Sequence, residues 1–210
     1  MEDLSYLFFS KRWANYLTVK TGLSHEQELV LTYVIEVLTL NLLSIAVALI
    51  LGMLLGVLPG TAAGIAIAFL FRHSAGGAHS NSPWRCGIIT VTVYPAIALL
   101  AMKLSMLDKS YADVLTALAI IVGLSAIILL APVDSPAAPI ISPARRKRLK
   151  ISALIIMLIL SMLLIVLSQN QWIYARQLQL CIAVSVIWLS FMLTRQGHKM
   201  FSYVDNIKIG

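Results

Sequence analysis

The sequence predicts an all-α, polytopic membrane protein, and three observations predict it. Of 210 residues, 60% are hydrophobic and only 12% charged, for a mean hydropathy of +0.89. The apolar residues fall in about six runs, each close to the ~20 residues a helix needs to cross a bilayer. The cations concentrate in the segments on one side of those runs. A soluble domain of this length carries a far more polar surface.

The first 28 residues mix polar and apolar side chains, with no charged start leading into an apolar stretch and a small-residue cleavage site. They read as a cytoplasmic segment, not a cleavable signal. Within it, "LSYLFFSKRWANYL" predicts an amphipathic helix on the membrane surface. Residues 29–194 then hold the predicted six-helix domain, and 195–210 a cytoplasmic tail.

The spans are expected near Leu29–Leu51, Met53–Phe71, Cys86–Leu107, Asp113–Ala131, Leu149–Ser168 and Tyr174–Thr194. The first two are the ambiguous pair. A turn at Pro59-Gly60 leaves the second element as a half-helix of about a dozen residues, whereas a turn near Gly52 lets both elements span. The favoured reading is two spans with a kink at Pro59.

Orientation follows from charge. Three of the sixteen Lys and Arg residues, Lys103, Lys109 and Arg176, lie in or beside the loops on one side; the other thirteen lie on the opposite side. That bias makes the thirteen-cation side cytoplasmic, with both termini there. It also accounts for the net charge of +7 without nucleic acid as a partner.

Two cytoplasmic segments stand out. Residues 132–148 carry four prolines and predict an extended, stiff loop. The basic end of this loop, Arg145, Arg146, Lys147 and Arg148, suits anionic headgroups or an acidic partner, and equally serves as a topology anchor. The other segment is "RHSAGGAHSNSPWRC", residues 72–86, with two of the four histidines and one of the two cysteines. Two cysteines make no disulfide framework.

Cys86 and His79 are the natural nucleophile and base of that loop. Ser82 and Pro83 predict a helix start, which puts Cys86 in the first turn, where the helix dipole favours a thiolate. On one straight helix His79 would sit about 10 Å from Cys86. The chain must therefore turn back between them, and Gly76-Gly77 and "HSNSP" give it that freedom. Arg72, at the end of the second span, suits a substrate carboxylate or the loop itself. Glu36 and Asn41 lie inside the first span; an intramembrane carboxylate is costly and is expected to be paired, with His79 or Arg72 as partner or as helix–helix glue. Asp134 is another candidate to orient His79. A zinc site of His73, His79 and Cys86 is a rival, but the spacing is wide and a fourth ligand is not evident. An ordinary polar loop is the plain alternative.

These residues resemble a known family. Arg72, Gly76-Gly77, His79 and Cys86, with Cys seven residues after His, are similar to the signature of the accessory gene regulator B (AgrB) family. "PVDSP" (Pro132–Pro136) is similar to its proline-rich loop, and "YVIEVLTLN" (Tyr33–Asn41) to its first-span segment. The resemblance implies a membrane-embedded cysteine endopeptidase, without a cofactor or metal, that removes the C-terminal tail of an AgrD-type propeptide. The remaining segment closes into a thiolactone or lactone. It also implies a bacterial cell membrane location and a homodimer, with His79 and Cys86 as the catalytic pair and Arg72 and Gly77 in support. One departure is Ala137-Ala138, where many members have Asn-Lys; the basic residues here come later. A peptide transporter or exporter using Glu36 and Asn41 is the competing function, and a non-catalytic membrane partner is a third.

Overall fold

The computed structural model describes residues 8–22, 24–80, 82–134 and 140–207, and among them every regular element is a helix. The helices are α1 (Phe8–Thr21), α2 (His25–Leu54), α3 (Leu58–Ser74), α4 (Pro83–Leu104), α5 (Lys109–Leu130), α6 (Pro143–Gln169), α7 (Ala175–Met192) and α8 (Arg195–Asn206). Five of them, α2, α4, α5, α6 and α7, are long and apolar enough to cross a membrane. The chain is an all-α, multi-pass membrane protein.

The N-terminal helix α1 lays a stripe of small residues, Ser10, Ala14 and Thr18, on α2. Its aromatics Phe9, Trp13 and Tyr16 stay exposed, and Lys20 lies over the Tyr16 ring. That mixture of rings and cations suits the boundary between lipid and water. A capping box starts α2 earlier than the hydropathy suggests. Ser24 accepts from the Gln27 amide, and the Gln27 side chain accepts from the Ser24 amide.

Pro59 does not kink a span. It occupies the first turn of α3, where its missing N–H costs nothing, and the chain reverses before it, at residues 55–57. Gly56 makes that turn with φ +71°. The resulting α3 has 17 residues, about 26 Å at 1.5 Å per residue, slightly short of the ~30 Å hydrocarbon core. Packing sets its level. Gly60 faces Ala98 and Cys181, each about two helical turns inside the far ends of α4 and α7. The α2–α3 turn is therefore recessed and apolar. Its amides are satisfied locally, Leu55 on Leu51, Gly56 on Met53 and Val57 on Gly52, as a turn surrounded by lipid and protein requires.

The core forms around α7, whose residues are mostly buried and which packs on α3, α4, α5 and α6. Close approach depends on small residues: Gly60 against Ala98 and Cys181, Gly64 against Tyr94 and Ser185, Gly123 against Met157 and Val186. Polar ties also cross this core, among them Gln179 to Thr116 at 2.9 Å and to Asp113 at 3.4 Å.

One further expectation changes. Arg145, Arg146, Lys147 and Arg148 do not belong to an extended loop; they form the first turns of α6. Pro143 takes the opening position of that helix, and Ser142 caps it by accepting from the Arg145 amide. The stretch 135–139 of the proline-rich segment, with Ala137-Ala138, lies outside the described residues. The C-terminal tail is a helix as well. In α8 the Thr194 hydroxyl caps the Gly197 amide, and Gly197 and Phe201 are buried.

Candidate active site

The basic end of the bundle holds a cavity of about 410 Å³. Side chains from α2, α3, α4, α6 and the loops between them line it, among them Asn41, Arg72, His79, Cys86 and Arg145. The loop from Ala75 to Ser82 sets its geometry. Gly76 and Gly77 have φ of +74° and +120°, so the chain leaves α3 along a path that only glycine takes without strain. Two neighbours then fix the path. The Val133 amide donates to the Ala75 carbonyl at 2.9 Å, and the Ala78 amide to the Met192 carbonyl at 2.8 Å. The proline-rich segment and the end of α7 thus strap the loop from two directions.

Beyond the strap, α4 begins at Pro83 with Ser82 at its cap, as the sequence predicts. The Ser82 hydroxyl does not cap, however. Its amide donates instead to the Ser80 hydroxyl at 3.1 Å. The Cys86 amide closes the first helical bond to the Ser82 carbonyl at 3.1 Å, which seats the thiol in the first turn, half-buried. Arg72 reaches it from the last turn of α3, and its Nη2 donates to Cys86 Sγ at 3.2 Å. A guanidinium at that distance is an electrostatic partner for a sulfur anion.

His79 is exposed toward the same cavity, and its Nδ1 lies 3.0 Å from the Ser80 carbonyl. A carbonyl only accepts, so this contact puts the proton on Nδ1 and leaves Nε2 as the proton acceptor. Among the described residues the hydrogen bonds of these two side chains run to Ser80 and to Arg72, not to each other. The arrangement is a thiol with a cationic neighbour and an imidazole of defined tautomer, opening on one cavity.

The remaining candidates separate. Asn41 lines the cavity on the stripe Tyr33, Val37, Asn41 of α2. Glu36 is buried on the neighbouring stripe with Leu40, Ser44, Ala48 and Gly52, and is not a lining residue. Asp134 turns away to Arg146 and to the Ile140 amide. His73 folds back on its own helix, donating to the Phe69 carbonyl at 3.1 Å with its ring 4.2 Å from Phe69. Among the described residues no group of three or more His, Cys, Asp or Glu is placed to hold a metal ion. Cys181 lies deep in the core with its thiol on the Gly60 carbonyl.

Sequence reasoning missed Ser80, Arg85 in its contact role, and all of α8. The Ser80 hydroxyl donates to the Asp205 carboxylate, and Arg85 donates to the Val204 and Ile207 carbonyls, each at 2.6 Å. The signal that could have found α8 was the spacing Gly197, Met200, Phe201, Val204 behind Thr194.

The class this defines is a multi-pass helical membrane protein whose thiol, imidazole and guanidinium line one cavity at its basic end. This chain belongs to the accessory gene regulator B (AgrB) family, whose family model matches residues 10–193. It is 27% identical to AgrB-like protein 2 of Clostridium perfringens strain 13, over 94% of this chain and 95% of the relative. It is 26% identical to an AgrB-like protein of Clostridium perfringens strain SM101, over 98% and 97%. No solved structure matches it. Family membership supports a part in agr quorum-sensing propeptide processing.

Proposed function

We propose that the protein is a cysteine endopeptidase that cuts the C-terminal tail from an AgrD-type propeptide and passes the remaining acyl group to a ring-closing nucleophile. The observation that carries this reading is the cavity shared by Cys86, Arg72 and His79. In the proposed reaction, the Cys86 thiolate attacks the scissile carbonyl carbon. The C–N bond breaks, and the proton taken up by His79 Nε2 goes to the leaving amine. A thioester to Cys86 remains. A thiol or hydroxyl within the propeptide then gives its proton to His79 and attacks that thioester, and Cys86 departs as thiolate. Exchange of one thioester for another is nearly even in energy, so a ring survives only where water is held back. A cavity walled by four helices and the segments that connect them supports that requirement.

The cation bias supports a cytoplasmic position for this end of the bundle in the bacterial cell membrane, with both termini on that side. The cations of the first α6 turns would then attract an acidic propeptide tail at the inner leaflet. The test is mass spectrometry of an AgrD-type propeptide after incubation with wild-type membranes and with Cys86→Ala and His79→Ala membranes. Cleavage by the wild type alone is the expected result. Normal processing by either variant, in protein that inserts normally, would overturn the reading.

A further inference from the structure

The C-terminal helix lies outside the matched family region, which ends at residue 193, yet it touches the site at two points. Its Asp205 carboxylate accepts from the Ser80 hydroxyl. Ser80 is buried, its hydroxyl also accepts from the Ser82 amide, and its carbonyl holds His79 Nδ1. The same carboxylate lies 3.9 Å from Arg85, the residue before Cys86. Arg85 in turn donates to two carbonyls at the C-terminus of α8, where a cation is favoured by the unpaired carbonyls and the helix dipole. Asp205 therefore reaches the neighbour of His79 on one side and the neighbour of Cys86 on the other.

The helix is seated for that role. Phe201 is buried with Ala78 of the loop and Met192 of α7, and the Ala78 amide is itself bonded to Met192. The corner between α7 and α8 is tight: a Cβ on Gly197 would fall 2.9 Å from Met192 Cα. The loop, the start of α4 and α8 thus form one packed unit. A loop carrying two positive-φ glycines has little rigidity of its own, and orienting contacts of this kind are what fix a catalytic imidazole.

We propose that α8 is a brace that sets the register of His79 against Cys86, with Asp205 as a positioning residue acting through Ser80. The proposal rests on the reading of His79 and Cys86 as a working pair. Loss of Asp205 leaves the Ser80 hydroxyl held by the Ser82 amide alone, the Ser80 carbonyl loses its fixed direction, and the contact that holds the His79 tautomer and ring weakens. Arg85 at the same time loses its carboxylate neighbour.

The test uses the full-length protein in lipid nanodiscs with iodoacetamide as probe. Modification of Cys86 is read by peptide mass spectrometry, so that Cys181 does not contribute. His79→Ala is expected to slow the reaction at neutral pH. Asp205→Ala is expected to slow it about tenfold, the size typical of an orienting hydrogen bond. Ser80→Ala, which removes a single hydroxyl, should follow Asp205→Ala, and Asp205→Glu should recover most of the rate. On a His79→Ala background, Asp205→Ala should add nothing, because it acts through that histidine. A wild-type rate for both Asp205→Ala and Ser80→Ala, or an Asp205 effect that multiplies in full on the His79→Ala background, would overturn the brace. Propeptide cleavage by the wild type, measured in parallel, tests the peptidase reading separately. Coupling without cleavage removes that reading and leaves the brace; cleavage without coupling does the reverse.

Discussion

Arg72 and Cys86 are fourteen residues apart, at the end of one helix and the start of the next, and the guanidinium donates to the sulfur across 3.2 Å. This contact joins the two helices that the glycine loop connects. It also gives the thiol a cationic neighbour that does not depend on protonation of a histidine, since arginine stays charged throughout the working pH range. Arg72→Ala is expected to lower single-turnover propeptide cleavage about a hundredfold, a loss typical for one charge-assisted donor to a reacting group. Arg72→Lys keeps the charge but not the planar fork, and should fall between. Cleavage by Arg72→Ala within about twofold of wild type, at equal protein level, would show that the contact has no part in the chemistry.

Gly76 and Gly56 make a controlled pair. Their φ values are +74° and +71°, so an added Cβ imposes nearly the same backbone strain, about 1 kcal/mol or more. Their surroundings differ. A Cβ on Gly56 meets nothing within 4 Å, whereas one on Gly76 runs into the Val133 carbonyl oxygen. Gly56→Ala should cost only the strain and leave cleavage unchanged, because it sits at the other end of the bundle. Gly76→Ala should push the strap from Val133 off the loop and abolish cleavage. Thermal unfolding in detergent and propeptide cleavage together check both; an active Gly76→Ala protein would deny the strap its role.

In the core, a Cβ on Gly123 would fall 2.5 Å from Met157 Cε and 2.7 Å from Val186 Cγ1. Met157 is flexible at its end, but the branched Val186 on the central helix is not. Gly123→Val is therefore expected to destabilise by about 1–3 kcal/mol through overpacking, and Gly123→Ala by less. The temperature of loss of monodisperse protein in size-exclusion chromatography is the readout, and equal stability for all three proteins would contradict the packing.

How much of this was legible in the sequence depends on range. The class, the spans and the loop with Cys86 follow from local patterns: apolar runs, a Ser-Pro helix start, a glycine pair. The second span was placed too early because the turn was put near Gly52 and Pro59 was taken as a kink within the span, while the residue that turns the chain is Gly56 and the proline opens the next helix. The basic cluster was assigned to a loop because the prolines around it suggest extension, yet Ser142-Pro143 is itself a helix start. The Ser80–Asp205 contact spans 125 positions and leaves no periodic trace. Glu36 and Asp134 were chosen as carboxylates able to orient His79, but position along the chain does not say which stripe of a helix or which partner a carboxylate meets.

Arg145 and Arg146 are adjacent in the first turns of α6 and, on the geometry, have different tasks. Arg146 pairs with Asp134, both side chains roughly half exposed, and such a pair contributes at most about 1 kcal/mol to stability. Its partner also accepts from the Ile140 amide, so the pair anchors the segment leading into α6. Arg145 instead lines the cavity with Arg72, His79 and Cys86. On the proposed reading, an acidic propeptide tail entering that cavity would meet this cation beside the thiol. Arg145→Ala should therefore raise KM for the propeptide about tenfold with little change in kcat, and the defect should shrink as salt screens the attraction. Arg146→Ala should leave KM within about twofold of wild type. Steady-state cleavage at low and high ionic strength separates the two arginines; equal KM effects, or a loss confined to kcat for Arg145→Ala, would remove Arg145 from substrate capture.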